Sequence, residues 1–110
     1  MGTRSEIPPG TLYMLVLKTL ARLGPMHGYG IADYIQQTSD DVLQVEEGSL
    51  YPALQRMLVK GWVSAEWKQT ENNRRARYYH LTAAGRRQLN VEIAAFENAV
   101  RAITKVIEPA

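Results

Sequence analysis

Residues 48–82 read GSLYPALQRMLVKGWVSAEWKQTENNRRARYYHLT, and this stretch decides the fold. Leu50, Leu54, Met57 and Leu58 recur at helical spacing. A helix is therefore expected from Ser49, a good N-cap, to Gly61, which suits the C′ position. Pro52 is tolerable close to a helix start because first-turn amides have no intrahelical partner. Ser49, Pro52, Gln55, Arg56 and Val59 point away from the apolar row, with Tyr51 on its border. Two strands should follow. Over 62–69, Val63, Ala65 and Trp67 alternate with Trp62, Ser64, Glu66 and Lys68; over 76–81, Arg77, Tyr79 and Leu81 alternate with Ala76, Tyr78 and His80. The polar run Thr70-Glu71-Asn72-Asn73-Arg74 joins them as a turn. An amphipathic helix that can lie in a DNA groove, then a basic hairpin, is the order of parts of a winged helix-turn-helix.

Charge is concentrated in the same region. The chain of 110 residues has a net charge of only +2, but residues 1–47 carry three basic against six acidic side chains, and residues 48–90 carry eight against two. A basic segment inside a nearly neutral protein is the electrostatic footprint expected for phosphates, although a solvated basic face gives the same pattern.

Outward from this core, Pro8-Pro9 ends a short polar tail and Gly10 or Thr11 caps a first helix running to about Leu23. Leu12, Leu15, Val16, Thr19, Leu20 and Leu23 share one face, and Met14, Leu17 and Ala21 make a second apolar strip. In so small a domain the second strip points to cover from another subunit. Gly24-Pro25 breaks this helix, and a second helix should run from near Gly28 to the Ser39-Asp40-Asp41 turn, burying Ile31 and Ile35. Residues 42–45 read as a minor strand. Thr82 caps a last helix whose apolar positions, Leu89, Ile93, Phe96, Val100, Ile103 and Ile107, are spaced 4, 3, 4, 3 and 4 apart. An apolar stripe of that length is costly on a monomer. Its cover is expected to be the same helix, or the first helix, of a second subunit.

Several classes of function fall away. With no cysteine, disulfides and thiolate metal sites are excluded, as suits a reducing cytoplasm. No apolar run approaches the roughly 20 residues of a membrane span, and MGTRSEIPPG has no apolar signal core. A soluble, cytoplasmic protein without a membrane partner is expected. His27 and His80 stand 53 positions apart in no ligand or triad spacing; His27 reads as a helix-start residue near Tyr29. Asp40, Asp41, Glu46 and Glu47 lack calcium-loop spacing and read as loop and pre-cap charges. No phosphate-binding glycine motif is present. The expectation is no enzyme, no cofactor and no metal.

The segments GTLYMLVLKTL, PMHGYGIADYI, EEGSLYPALQRMLVKGWV and RRARYYHLTAAGRRQL, spread over roughly residues 10–90, resemble the PadR-like transcriptional regulators, specifically a short subgroup with a single C-terminal helix. The combination of HGYGI, SLYPAL and RYYHLT is specific; Asn72-Asn73 replaces a glycine common at the wing tip of relatives. The resemblance implies a winged-helix homodimer on a palindromic operator, usually a repressor, relieved in several members by a flat aromatic molecule.

The fold expected is mainly α with a small β-hairpin: a winged helix-turn-helix over 1–82 plus a dimerisation helix over 83–110, packed as one domain. The DNA-binding residues expected are Ser49, Tyr51, Pro52, Gln55, Arg56, Lys60, Lys68, Arg74, Arg75 and Arg77. Gln55 can pair with adenine and Arg56 with guanine or a phosphate. Tyr51 can donate to phosphate, stack on the hairpin or pack at the rim of the core. Arg74, Arg75 and Arg77 should follow a phosphate strand or enter the minor groove, with Lys60 and Lys68 peripheral. Ile93, Phe96, Val100, Ile103 and Ile107 form the expected dimer and effector surface, where Phe96 either stacks on a flat ligand or packs the dimer core. The competing reading is a winged helix for protein contact or RNA, since fold alone does not fix function.

Overall fold

Glycines and capping residues divide the described residues into nine elements. The computed structural model describes residues 5–8 and 10–108; Pro9, residues 1–4 of the polar tail and residues 109–110 of the last segment lie outside them. In order, the elements are β1 (Ser5–Glu6), α1 (Leu12–Leu23), β2 (Met26–His27), α2 (Gly28–Thr38), β3 (Leu43–Gln44), α3 (Glu47–Val59), β4 (Val63–Gln69), β5 (Arg75–Leu81) and α4 (Ala83–Ile107). The architecture is mainly helical with a small antiparallel sheet, a winged helix. Strand β1 pairs in parallel with β3, while β2, β5 and β4 form the sheet in that order. Residues 43–44 thus supply the expected minor strand; its partner β1 and the sheet strand β2 were unexpected.

The core lies where α1, α2 and α3 meet the sheet. Val16, Leu17 and Leu20 of α1, Ile31 of α2, and Leu50, Leu54 and Met57 of α3 are buried there, closed below by Val63, Tyr79 and Leu89. Leu17 corrects one expectation. It belongs to the second strip of α1, yet the chain's own elements bury it completely, so no second subunit is needed to cover it.

Helix α3 starts earlier than expected. Glu46, in extended conformation, is its N-cap, and its carbonyl accepts from the N–H groups of Ser49 (3.0 Å) and Leu50 (2.9 Å). Ser49 is therefore a helical residue and not the cap. The strong capping propensity of serine is overridden because the β3 connection delivers the chain to Glu46 already extended. Pro52 consequently sits inside the helix, beyond the first turn, and its missing N–H leaves the carbonyl of exposed Gly48 without the usual partner. The other end follows the expectation. Gly61 has φ +75°, its N–H reaches the Leu58 carbonyl (3.1 Å), and the Trp62 N–H reaches the Met57 carbonyl (3.0 Å), a Schellman ending.

The hairpin joins the core at one end and leaves it at the other. Pairing runs from Val63–Leu81, next to the core, to Gln69–Arg75 at the tip. Asn73 takes φ +61° in the turn, the left-handed geometry that asparagine tolerates. At the base, Thr82 Oγ1 accepts from the Gly85 N–H (3.0 Å), capping α4 as expected. Gly85 lies so close to the Trp62 carbonyl that a Cβ would come within 2.0 Å of its oxygen. This contact fixes the start of α4 against the start of β4. Beyond Ile93, α4 extends into solvent.

Candidate nucleic-acid interface

Strand alternation puts Trp67 and Gln69 of β4, and Arg75, Arg77 and Tyr79 of β5, on the face of the hairpin that continues from the core. Tyr79 is buried and anchors that face, and burial pushes its phenol pKa up. Nearer the tip the same face stands off from α3. The result is a cleft of about 1010 Å³ between α3, the start of α2 and the hairpin.

Five expected DNA-binding residues meet in this cleft: Tyr51 and Gln55 from α3, and Arg74, Arg75 and Arg77 from the wing. Arg77 spans the gap, its Nη1 donating to Gln55 Oε1 at 3.4 Å and its guanidinium lying 6.0 Å from the Tyr79 ring. Tyr51 packs against α2: a Cβ on Gly28 would lie 2.9 Å from both its Cε1 and its hydroxyl. Its ring thus needs the bare backbone of Gly28, combining rim packing with a hydroxyl at the cleft.

The remaining five residues lie elsewhere. Ser49 and Pro52 are exposed on α3 without lining the cleft, and Arg56 and Lys60 face α1 and Trp62. Lys68 is on the opposite face of the hairpin, 3.3 Å from Glu66 Oε1 and 5.7 Å from the Tyr78 ring. His80 Nε2 lies 2.8 Å from the same Glu66 oxygen. Hydrogen bonds from Lys68 and then His80 hold the Glu66 carboxyl below its ordinary range.

The cleft also contains residues that sequence reading did not assign to a site. Trp67 is 59% exposed with the Arg75 guanidinium 5.3 Å from its ring, so it presents Arg75 toward the cleft. Tyr29 projects from the first turn of α2 and is 72% exposed. His27, as expected, starts that helix: its Nδ1 accepts from the Gly30 N–H (2.9 Å), and its ring lies near Tyr29 and edge-on to Tyr78. A large exposed tyrosine beside a helix cap was the available signal for Tyr29. For Trp67 it was the period-2 register that places it on the face of Arg77.

The expected dimer and effector residues form a separate stripe. Ile93 is half-buried against the core, whereas Phe96, Val100, Ile103 and Ile107 are 42, 43, 58 and 69% exposed. Among the described residues no group of His, Asp and Glu could hold a metal ion, and no helix is long and apolar enough to cross a membrane.

A basic groove reached by polar side chains of a helix and by arginines of a wing matches DNA recognition. Comparison with known proteins agrees. The model of the transcriptional regulator PadR-like family matches residues 16–91. A transcriptional regulator from Clostridium thermocellum has the same fold, with a TM-score of 0.82 at 23% identity over 90% of this chain and 95% of that one. A PadR family transcriptional regulator from Eggerthella lenta gives a TM-score of 0.76 at 29% identity over 92% of this chain and 85% of that one. An uncharacterized protein from Lysinibacillus sphaericus is 26% identical over 87 residues, 79% of each chain. The family match takes in both walls of the cleft: the chain belongs to the PadR-like family and is a winged-helix, DNA-binding transcriptional regulator, not an enzyme.

Proposed function

We propose that the protein is a cytoplasmic homodimeric repressor that reads a palindromic operator. Residues 1–82 bind DNA and residues 83–110 dimerise. The observation that supports this most directly is the cleft in which Tyr51, Gln55, Arg74, Arg75 and Arg77 converge. In this reading Gln55 reads adenine, and Ser49, Tyr51 and Pro52 line the groove beside it. The wing arginines hold phosphate or enter the minor groove, and Lys68 is a peripheral phosphate contact. The exposed stripe of Phe96, Val100, Ile103 and Ile107 packs on a second copy, setting two recognition helices about 34 Å apart. A flat aromatic effector stacks on Phe96 near the dimer axis and releases the DNA.

Selection of a preferred site from a random duplex pool tests the core of the proposal. A palindrome with half-sites one helical turn apart is expected. Replacing Arg74, Arg75 and Arg77 together by alanine should weaken binding to all duplexes alike and flatten the salt dependence by about 0.9 per lost phosphate contact. Unchanged affinity and slope in that variant would remove the wing from the interface. Single-site enrichment without symmetry would remove the dimer from the reading.

A further inference from the structure

Arg56 follows Gln55 directly, yet it serves a different side of α3. One residue is about 100° of helix, and that turn directs its guanidinium away from the cleft toward α1. Arg56 Nε donates to Tyr13 Oη at 2.5 Å, with the guanidinium 5.7 Å from the Tyr13 ring centre. Tyr13 in turn meets Trp62 edge to face, 5.4 Å between ring centres. Lys60 closes the series, its Nζ 5.1 Å from the Trp62 ring centre. Four side chains from α1, α3 and the start of the hairpin thus form a surface ladder of cation, aromatic, aromatic and cation. None of the four lines the cleft.

The ladder leaves its charges available. Arginine has five N–H donors in a fixed plane. Tyr13 takes the one on Nε, and the terminal pair has no other partner among the described residues. Neither Arg56 nor Lys60 is paired with a carboxylate among the described residues. An arginine held by Nε with a free terminal fork is arranged for end-on, two-point contact with a phosphate. Holding the long side chains against aromatic rings also lowers the ordering cost of binding.

We propose that Tyr13, Arg56, Lys60 and Trp62 form a pre-assembled clamp for a DNA backbone phosphate on the flank of α3 away from the wing. Recognition helix α3 is then held from two sides, by wing arginines and by this flank. Arg56 contacts phosphate and does not read guanine; Tyr13 is a positioning residue that acts through Arg56. The inference rests on the reading of α3 as the helix that faces DNA.

The test measures affinity and salt slope of the full chain on its selected operator and on random duplex, for Arg56→Ala, Tyr13→Phe, the double variant and Gln55→Ala. Arg56→Ala should weaken both duplexes about tenfold, flatten the salt slope by about 0.9 and leave base preference unchanged. Tyr13→Phe keeps the ring and its contact with Trp62, so a smaller uniform loss is expected, and it should vanish in the Arg56→Ala background. A relaxed preference at one base pair in Arg56→Ala, or no effect of that change, overturns the clamp. A Tyr13→Phe loss that persists without Arg56 overturns the positioning role. If α3 does not face DNA, Gln55→Ala and Arg56→Ala will both be silent. If only the clamp is wrong, Gln55→Ala will still alter base preference.

Discussion

Helices α3 and α4 carry the same kind of apolar periodicity, and the molecule uses it in opposite ways. In α3 the inward row of Leu50, Ala53, Leu54 and Met57 is buried by the chain's own α1, α2 and sheet. In the α4 seam Leu89 alone is buried, Ile93 is half-covered, and the rest faces solvent. Apolar spacing therefore does not by itself say what an apolar face is for. The stripe of α3 stabilises the fold, and that of α4 beyond Ile93 lies outside the buried core of the chain.

This contrast can be broken by substitution, and the largest effect belongs to α3. Leu54→Ala removes a fully buried side chain and should cost about 2–5 kcal/mol, measured by chemical denaturation. A cost under 1 kcal/mol would mean that α3 is not part of the core. Next comes Gly85→Ala, where the added Cβ meets the Trp62 carbonyl. A shift of backbone is required, so a loss of about 1–3 kcal/mol is expected; no loss would show that α4 docks loosely. Thr82→Ala removes the side-chain cap of α4 and should cost about 1 kcal/mol, visible as a lower melting temperature with little change in operator affinity. The smallest effect is expected of Ile103→Ala. In dilute monomer its change should stay within about 0.5 kcal/mol, while the dissociation constant of the proposed dimer, measured over a concentration series, should rise. Val100→Glu sharpens the last point: light scattering should give a monomer mass with the unfolding curve of the monomer preserved. Charge at Ile93 is a poorer probe, because Ile93 also packs on the core.

Much of the architecture could be read from the residues because local signals and packing agreed. Gly24, Gly61 and Thr82 mark real boundaries, and Ile31, Ile35, Leu50, Leu54 and Tyr79 are in the core where periodicity put them. Failures came where a long-range contact outweighed a local preference. Ser49 has the better capping side chain, but the chain reaches Glu46 extended and the helix starts there. Strands β1 and β2 are two residues each. Such lengths carry no period, and their partners are distant in sequence. The same holds at the interface. Gln55 and the arginines were legible as types and spacings, but the separation of Arg56 from Gln55 into different surroundings depends on Tyr13, 43 residues away in sequence.

Trp62 has a consequence for how the two functional ends of the molecule communicate. Its N–H closes the end of α3 (3.0 Å to Met57), and its carbonyl accepts from the Thr82 N–H (3.1 Å) and abuts Gly85 of α4. One residue is thus a fulcrum between α3, the proposed DNA-facing helix, and α4, the proposed dimerisation helix. With about 1.5 Å of rise per residue, the 25 residues of α4 make a lever arm of roughly 37 Å. A tilt of about 5° at the fulcrum then displaces the far end by roughly 3 Å. In the proposed dimer, the angle at which two such arms cross would set the gauge between the paired α3 helices, so a small wedge between the arms would be enough to put both out of step with the pitch of DNA.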